Sequence, residues 1–445
     1  MNQLLLIGAG RSSSALVDYL KAHADDLNLQ IKVADFSLKL AAEKVQDFER
    51  ATAIKFDVND SIQLNQEVGA ADLVISMLPA HMHLPVAQSC VKHKKSLLTA
   101  SYVSKGIKSL EEDAKAAGVM ILMEMGLDPG IDHMSAKKEI DQIISNGGVI
   151  HSFKSFTGGL VAPESDNNPW NYKFTWNPRN VVLAGQGDVK FIRNGRYKYI
   201  PYHSLFKRIE EVTVEGYGDF EAYSNRDSLS YREHYDLQDI PTIFRGTLRR
   251  QGFCEAWDSF VQLGMTSDAY QVEDLGDLTW RDFLNAYLVY DKDKSVEEKL
   301  AAFLKVPLDH VILKKIEWLG LFKRERIGMD SGTPAQVLQK LLESKWSLEP
   351  HDKDMIVMQH QFEYSVDQKR QSLTSSLVVK GDDAKNTSMA KTVGLPLAIA
   401  TRLFFENKIN LTGVHIPTIP ELYTPILKEL DSYGVKFTSS INQLN

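Results

Sequence analysis

Acidic, hydroxyl and phenolic side chains follow two neighbouring strand-like runs between residues 97 and 133. Ser101 and Tyr102 come after the first apolar run, whereas Glu124 and Asp128 come after the second. The carboxyl ends of parallel strands form the ligand-binding edge of an open α/β sheet, because helices cover both of its faces. A carboxylate at that edge can stabilise a positively charged amine and move its proton, and a tyrosine hydroxyl is a poorer base. Asp128, Glu124 and Tyr102 are therefore the candidates for moving protons in this stretch.

A glycine turn near the N-terminus is the element that would hold a dinucleotide. The apolar run Leu4–Ile7 leads into Gly8, Ala9 and Gly10, and a helical pattern follows. Gly8 permits the tight turn, Gly10 lets the backbone approach a pyrophosphate, and the helix N-terminus offers free N–H groups to that anion. Ser13 occupies the third glycine position of this fingerprint. A glycine turn alone is weak evidence, since many strand-to-helix turns use glycine.

The second strand strengthens this interpretation because it ends in an acid. Leu29–Ala34 leads into Asp35, roughly 20 residues past the glycine turn, where a carboxylate binds the adenosine ribose hydroxyls. A 2′-phosphate would meet a like charge there, and Phe36 and Ser37 follow without an arginine, so NAD is favoured over NADP. The alternative for Asp35 is a solvated helix N-cap. Asp57, after the third strand, would lie near the adenine or else begin a helix.

Composition and charge indicate a small-molecule partner. The chain has 445 residues, enough for two or three domains, and a formal net charge of -7, which gives no electrostatic support for a nucleic-acid or anionic-membrane partner. The N-terminus leads straight into a strand without an export signal, so we expect a cytoplasmic location. The longest apolar run, at residues 393–405, is interrupted by Pro396 and Arg402, and we expect no membrane span. A homodimer is one expectation for the assembly, which the sequence does not decide.

Metal binding and disulfide bonding have little support. The chain has 2 cysteines, Cys90 and Cys254, in different segments, and no Cys/His group has metal-ligand spacing. His83 and His93 do not share a helical face at the i,i+4 spacing of a zinc site. We therefore expect no metal, and surface positions for these two histidines and for His81.

Cationic and aromatic residues of the middle segment are suited to a substrate with several carboxylates. Arginine forks bind carboxylates in a bidentate way. Arg226 lies in a polar loop and Arg249 follows an apolar strand, so we expect these two to bind the substrate. Solvated surface charge is the alternative, and it is the stronger one for Lys173, Arg179 and Arg250.

Six segments of the chain match a known family in register. They are MLPAHMHLPVAQSC, TASYVSKGIKSLEEDAKAAGV, MEMGLDPGIDHMSAKKEID, SFTGGLVAPESDNNPWNYKFTWNPRN, NRDS and RGTLRRQGF. Together they resemble saccharopine dehydrogenases of the glutamate-forming type, also called saccharopine reductases. The resemblance implies NAD- or NADP-linked cleavage of saccharopine to L-glutamate and aminoadipate semialdehyde, or the reverse, in lysine metabolism.

The resemblance also implies an α/β fold with three parts. These are an N-terminal Rossmann-type doubly wound domain at 1–125, to which the tail from about 390 to 445 returns, a mixed α/β substrate domain at 126–255 and 329–389, and a small helical insertion at 256–328. Matching cofactor-contacting positions are Gly8, Ala9, Gly10, Arg11, Ser12, Asp35, Asp57, Val58, Leu78, Ala100, Ser101, Leu127, Asp128, Pro129 and Asn177. Matching substrate-contacting positions are Ser101, Tyr102, Asp128, Arg226, Thr247, Leu248 and Arg249. The resemblance therefore favours Asp128 and Tyr102 as the catalytic residues. It assigns no contact to Glu124, for which we expect a structural hydrogen-bonding role.

Two departures from the family and two rival functions bear on this prediction. The fungal NADP enzymes end the second strand with a Cys-Arg pair, where this chain has Ala34 and Asp35. They also have a cysteine before the double glycine, where this chain has Thr157. A carboxynorspermidine-type polyamine dehydrogenase is one rival, although it needs fewer anion-binding arginines. A non-catalytic, redox-responsive NAD-binding protein is the other, and it predicts cofactor binding without turnover.

Overall fold

The computed structural model describes residues 1–187 and 189–444, which form two compact units. The first unit contains Met1–Ile150 and Tyr364–Asn445, and the second contains His151–Glu363. The strands are β1 (Asn2–Ile7), β2 (Leu29–Asp35), β3 (Ala51–Lys55), β4 (Leu73–Ser76), β5 (Ser96–Thr99), β6 (Met120–Leu122), β7 (Val149–Val161), β8 (Val189–Arg193), β9 (Arg196–Ile200), β10 (Ile209–Val214), β11 (Gly218–Ser224), β12 (Thr242–Arg250), β13 (Asp354–Val366), β14 (Lys369–Lys380), β15 (Gly413–His415) and β16 (Thr438–Gln443).

The helices alternate with the strands in the first 150 residues and dominate between residues 253 and 346. They are α1 (Ser14–Ala22), α2 (Leu38–Val45), α3 (Ser61–Ala70), α4 (His83–His93), α5 (Lys105–Lys108), α6 (Glu111–Ala117), α7 (Ile131–Ser145), α8 (Pro178–Val182), α9 (Tyr231–His234), α10 (Phe253–Leu263), α11 (Trp280–Asn285), α12 (Val296–Leu304), α13 (Val311–Leu319), α14 (Pro334–Trp346), α15 (Ser388–Phe405) and α16 (Pro420–Ser432).

A parallel sheet of seven strands organises the first unit. Its order is β15-β6-β5-β4-β1-β2-β3, and every neighbouring pair is parallel. The central strands are mostly apolar, and all four residues of β4 are buried, as expected when helices cover both faces. The chain runs outward from β1 to β3 and then returns to place β4 on the other side of β1. This reversal is the topological switch point at which open α/β sheets bind ligands.

The C-terminal segment completes this unit beside the glycine turn. A Cβ added to Gly394 of α15 would lie 2.8 Å from the backbone nitrogen of Leu16, so α15 crosses α1 at close range. Arg402 donates to the hydroxyl of Tyr19 over 2.9 Å, and both side chains are hydrogen-bonded to Glu429. These contacts fix α1, the helix whose first turn follows the glycine turn.

The second unit has a mixed sheet with an aromatic core. Its strand order is β10-β11-β12-β7-β13, with β8 paired to β12 and to β9. Strand β12 is parallel to β7 and antiparallel to β11. The ring of Trp170 stacks on Phe260 at 5.6 Å and meets Trp346 at 5.3 Å, which joins α10 to α14. The predicted α/β class, a parallel Rossmann-type domain followed by a mixed-sheet domain, is confirmed, while the predicted residue limits of the domains stay predictions.

Two further observations concern the described residues. None of the helices between residues 1 and 444, Asp188 excepted, is long and apolar enough to cross a bilayer. Cys90 and Cys254 are buried free thiols.

Candidate active site

The glycine turn combines one closely packed position with one open position. Gly8 has φ +103°, and an added Cβ would lie 3.0 Å from the carbonyl oxygen of Met77, so this position requires glycine. At Gly10 an added Cβ would meet nothing within 4 Å. The open space in front of Gly10 lies where α1 and the preceding 3-10 turn, Arg11–Ser13, present their first N–H groups. This cradle fits the pyrophosphate of a dinucleotide.

Asp35 joins the carboxyl end of β2 to the glycine turn. Its Oδ2 accepts a hydrogen bond from the Ala9 backbone N–H at 2.8 Å, and its Oδ1 accepts one from the Ser37 N–H at 2.8 Å. The N-cap of α2 is Ser37, whose hydroxyl accepts from Leu40, so Asp35 does not cap that helix. The carboxylate therefore has a fixed orientation beside the turn, where it can accept further hydrogen bonds from ribose hydroxyls.

The remaining cofactor positions predicted in the first unit lie at the same edge of the parallel sheet. Arg11 is exposed, Ser12 is half-buried, and Val58 is buried after β3. The Oδ1 atom of Asp57 accepts from the Asn59 N–H at 2.9 Å. Leu78, two residues past the end of β4, packs partly against the core of this unit. Their contacts with a dinucleotide stay predictions.

Tyr102 and Asp128 are brought together although 26 positions separate them. The Tyr102 hydroxyl donates to Asp128 Oδ1 at 2.8 Å, and both side chains are half-buried. The backbone that carries them is cross-linked, because the Glu124 N–H donates to the Ser101 carbonyl oxygen at 3.1 Å. The loop that presents Asp128 contains buried Leu127 and Pro129. The phenol thus orients one carboxylate oxygen at the carboxyl edge of β5 and β6.

Glu124 has the structural environment that the sequence suggested. It is 4% exposed, and its Oε1 accepts from the Val103 N–H at 2.9 Å. Its Oε2 lies 2.6 Å from Nε2 of His133, which is fully buried in the first turn of α7. The carboxylate therefore ties the elbow after β5 to α7.

The expectation of a surface position is wrong for His83. The side chain is 1% exposed, with Nδ1 2.9 Å from Ser76 Oγ and Nε2 2.7 Å from Ser101 Oγ. Helical spacing on α4 could not reveal this, because the partners come from the ends of β4 and β5. Burial, with a smaller contribution from His81, lowers the pKa of His83 to about 4. The imidazole is therefore neutral at physiological pH.

The buried His83 should make the folded protein sensitive to mild acid. The unfolded chain binds a proton at His83 below its ordinary pKa of 6.5, whereas the folded protein resists that proton until about 4. The stability is fully present above 6.5 and declines as pH falls toward 4, by up to about 3 kcal/mol. Urea unfolding at pH 7.0 and 5.0 should show a smaller pH dependence for His83→Gln than for the wild type. If the free energy of unfolding changed equally between the two pH values in the wild type and in His83→Gln, this assignment would be contradicted.

In the second unit, Arg249 is a buried cation within an aromatic cage. It is 3% exposed, and its guanidinium carbon lies 4.9 Å from the ring centre of Tyr172 and 5.3 Å from that of Phe253. Its N–H groups donate to the Leu248 carbonyl oxygen at 2.9 Å and the Tyr223 hydroxyl at 3.3 Å, while Nε has no hydrogen-bond partner. Among residues 1–187 and 189–444, no carboxylate forms an ion pair with it. An anionic ligand would complete this environment.

Arg226 and Thr247 have different local surroundings from Arg249. Arg226 is exposed and has φ +45°, and its carbonyl oxygen accepts from the Lys190 N–H at 3.2 Å. Thr247 is half-buried on β12, paired in register with Thr157 of β7. The side chain of Thr157 has a hydroxyl and no thiol.

Four other polar residues of the second unit have internal partners. Lys173 is buried in an ion pair with Asp352 at 2.6 Å, and Arg179 pairs with Asp268. Arg250 donates to the Tyr217 carbonyl oxygen at 2.9 Å. The Asn177 side chain caps α8 by accepting from the Arg179 N–H at 2.9 Å. The expected solvated surface position is wrong for Lys173, which is 2% exposed because Asp352 neutralises it inside the unit. Arg179 and Arg250 are half-buried. The cofactor contact of Asn177 stays a prediction.

Comparisons with known proteins agree on one family over nearly the whole chain. Residues 4–122 match the saccharopine dehydrogenase NADP binding domain, and residues 126–435 match the saccharopine dehydrogenase C-terminal domain. The chain is 34% identical to the L-glutamate-forming, NADP(+) saccharopine dehydrogenase of Schizosaccharomyces pombe, over 99% of each chain. It is 35% identical to the enzyme of the same name from Saccharomyces cerevisiae, over 97% of each chain.

A solved structure agrees with these relatives. The apo structure of saccharopine dehydrogenase (L-Glu forming) from Saccharomyces cerevisiae matches with a TM-score of 0.89 at 33% identity, covering 99% of this chain and 100% of that one. The family assignment is supported by two consecutive family models, by full-length relatives above 30% identity and by a full-length structural match. The chain belongs to the saccharopine dehydrogenase family.

Proposed function

We propose that this protein is an L-glutamate-forming saccharopine dehydrogenase of lysine metabolism that prefers NAD. Saccharopine, the oxidised dinucleotide and water give L-glutamate, aminoadipate semialdehyde, the reduced dinucleotide and a proton, or the reverse. The observation that carries the proposal is the hydrogen bond between Tyr102 and Asp128, placed at the carboxyl edge of the sheet whose first turn forms the dinucleotide cradle.

Asp128 is the residue that handles the reacting nitrogen. The substrate carries a secondary amine, whose positive charge a neighbouring carboxylate stabilises and whose proton it can accept. Hydride leaves the carbon next to that nitrogen, and the nicotinamide ring supplies the acceptor when bound. Water then adds to the imine, and the carbon–nitrogen bond breaks to release L-glutamate. Tyr102 donates to Oδ1 of Asp128 and so keeps the carboxylate oriented.

The preference for NAD rests on Asp35. Its carboxylate is fixed by the N–H groups of Ala9 and Ser37, so it cannot turn away from a 2′-phosphate without breaking these hydrogen bonds. A cation, Lys55, is paired in register with Asp35 on the adjacent strand β3. Its Nζ lies over the ring of Phe36, 5.8 Å from the ring centre. The fungal relatives are named as NADP(+) enzymes. The family resemblance implies a Cys-Arg pair without negative charge at this position in such enzymes, where this chain has Ala34 and Asp35.

Arg226 and Arg249 are proposed to bind substrate carboxylates. Arg249 is the stronger candidate because a buried cation with a free Nε is stabilised by a bidentate anion. Thr247 and Leu248 lie on the same strand and are proposed to line the substrate site with it. This requirement for anion-binding groups argues against a polyamine-forming dehydrogenase, whose substrates carry fewer carboxylates. A cytoplasmic location and a homodimer remain expectations.

The test is an absorbance assay at 340 nm with saccharopine or carboxynorspermidine and NAD or NADP. We expect saccharopine with NAD to give a kcat/KM at least about 100-fold above that of carboxynorspermidine, since two or more lost carboxylate contacts cost about 3 kcal/mol. Dinucleotide binding without turnover of either substrate would favour the redox-responsive binding protein instead. Faster turnover of carboxynorspermidine would favour the polyamine enzyme.

A further inference from the structure

A buried hydrogen-bonded bridge joins two strand ends of the parallel sheet. It consists of Ser76, the last residue of β4, His83, the first residue of α4, and Ser101, just after β5. His83 Nδ1 lies 2.9 Å from Ser76 Oγ, and Nε2 lies 2.7 Å from Ser101 Oγ. The Thr99 hydroxyl is 3.4 Å from the same Nε2. We call Ser76, His83 and Ser101 the histidine bridge.

The chemistry of the bridge restricts the hydroxyl of Ser101. A neutral imidazole has one donor nitrogen and one acceptor nitrogen, so when one nitrogen donates a hydrogen bond the other must accept one. Both nitrogens of His83 are engaged by side-chain hydroxyls, and the ring is 1% exposed, so water does not compete. Ser101 Oγ is therefore held at one angle, and its remaining hydrogen-bonding capacity points away from His83.

The backbone of Ser101 is fixed by other groups. Its N–H donates to Thr99 Oγ1 at 3.3 Å, and its carbonyl oxygen accepts from the Glu124 N–H at 3.1 Å. Loss of the imidazole should consequently release the side-chain rotation of Ser101 and leave the course of the chain in place. A change in the Ser101 side chain without a change in its backbone would distinguish a positioning role of His83 from a general contribution to folding.

We propose that His83 is a positioning residue that orients the hydroxyl of Ser101 toward the bound dinucleotide and substrate. The activity part of this inference rests on the proposed function, since Ser101 is expected to contact both ligands. A fixed hydroxyl binds a ligand more tightly than a rotating one, because its rotational entropy is lost in advance.

A double-mutant cycle tests this role. His83→Asn keeps an amide near the position of Nδ1 and loses the contact with Ser101, whereas the longer His83→Gln can still reach Ser101. We expect His83→Asn to lower kcat/KM about 10-fold in the wild-type background and less than about 2-fold in a Ser101→Ala background, with His83→Gln within about 3-fold of wild type. His93→Asn, at the other end of α4, is the control and should change little. An equal loss in both backgrounds would overturn the proposal.

Two measurements do not depend on saccharopine turnover. In nitrogen-15 NMR spectra of the His83 ring, Ser101→Ala should shift the Nε2 resonance more than the Nδ1 resonance. In titrations with NADH, His83→Asn should weaken binding several-fold in the wild-type background only. If the wild-type protein bound NADH but did not oxidise saccharopine, the proposed function would fail while these data still decided the role of His83. Unchanged ring resonances and NADH affinity would refute the positioning role.

Discussion

Asp128→Asn should lower kcat for saccharopine oxidation by about 10²- to 10³-fold, within the range of about 10²- to 10⁴-fold that a positioned acid–base group contributes. The amide is nearly isosteric and can still accept the hydrogen bond that Tyr102 donates over 2.8 Å. It carries no negative charge, however, so it neither stabilises the substrate ammonium nor accepts its proton. Because the change is small in volume, NADH affinity should stay within a few-fold of wild type. Steady-state kinetics across pH 6 to 9, together with NADH titration, measure both effects.

Tyr102→Phe is the matched control for this substitution. It removes the hydroxyl that orients Asp128 but leaves the carboxylate in place, so we expect a loss of only about 10-fold, the value of one hydrogen bond to a charged group. Near wild-type turnover of Asp128→Asn at every pH would show that the proton is handled elsewhere. A larger loss in Tyr102→Phe than in Asp128→Asn would reverse the two assigned roles.

Asp35→Ser should change the cofactor preference. We expect the wild-type kcat/KM to be about 100-fold higher with NAD than with NADP, because a fixed carboxylate repels the 2′-phosphate and binds the ribose diol. Serine removes the charge, so efficiency with NADP should rise while efficiency with NAD falls about 10-fold. The ratio of the two kcat/KM values is the relevant measurement, since loss of the hydrogen bond from Ala9 affects both cofactors.

Asp72 provides a control for this experiment. Its Oδ2 accepts from the Gln3 N–H at 2.8 Å, the same kind of contact that Asp35 makes with Ala9, but it lies at the amino edge of the sheet, just before β4. Asp72→Ser removes the same charge and should leave the cofactor ratio unchanged. A strict requirement of the wild-type protein for NADP would show that Asp35 does not exclude the 2′-phosphate.

The features that could be predicted from sequence are those encoded by short segments. Gly8 and Gly10 follow an apolar run, and Asp35 ends the next one, so strand, turn and acid could be recognised without tertiary information. Tyr102 and Asp128 could be placed at one edge because the carboxyl ends of adjacent parallel strands meet there.

The features that could not be predicted depend on partners far apart in the sequence. His83 has no distinctive helical spacing, and its role follows only from the order of β4 and β5 in the sheet. The burial of Lys173 depends on Asp352, which is 179 residues away, and no local pattern joins them. The cage around Arg249 likewise depends on Tyr172, which comes from a distant part of the sequence. Periodicity reports which face of an element is buried, but not what that face meets.

Product analysis tests most directly which carbon–nitrogen bond of saccharopine breaks. Wild-type protein would be incubated with saccharopine and NAD, and L-glutamate and L-lysine quantified against the absorbance increase at 340 nm. One L-glutamate should form for each NADH, with no L-lysine, because hydride loss from the carbon on the lysine-derived side of the amine leaves the nitrogen on the glutamate portion. Formation of L-lysine in step with NADH, or of NADH without either amino acid, would contradict the proposed position of cleavage.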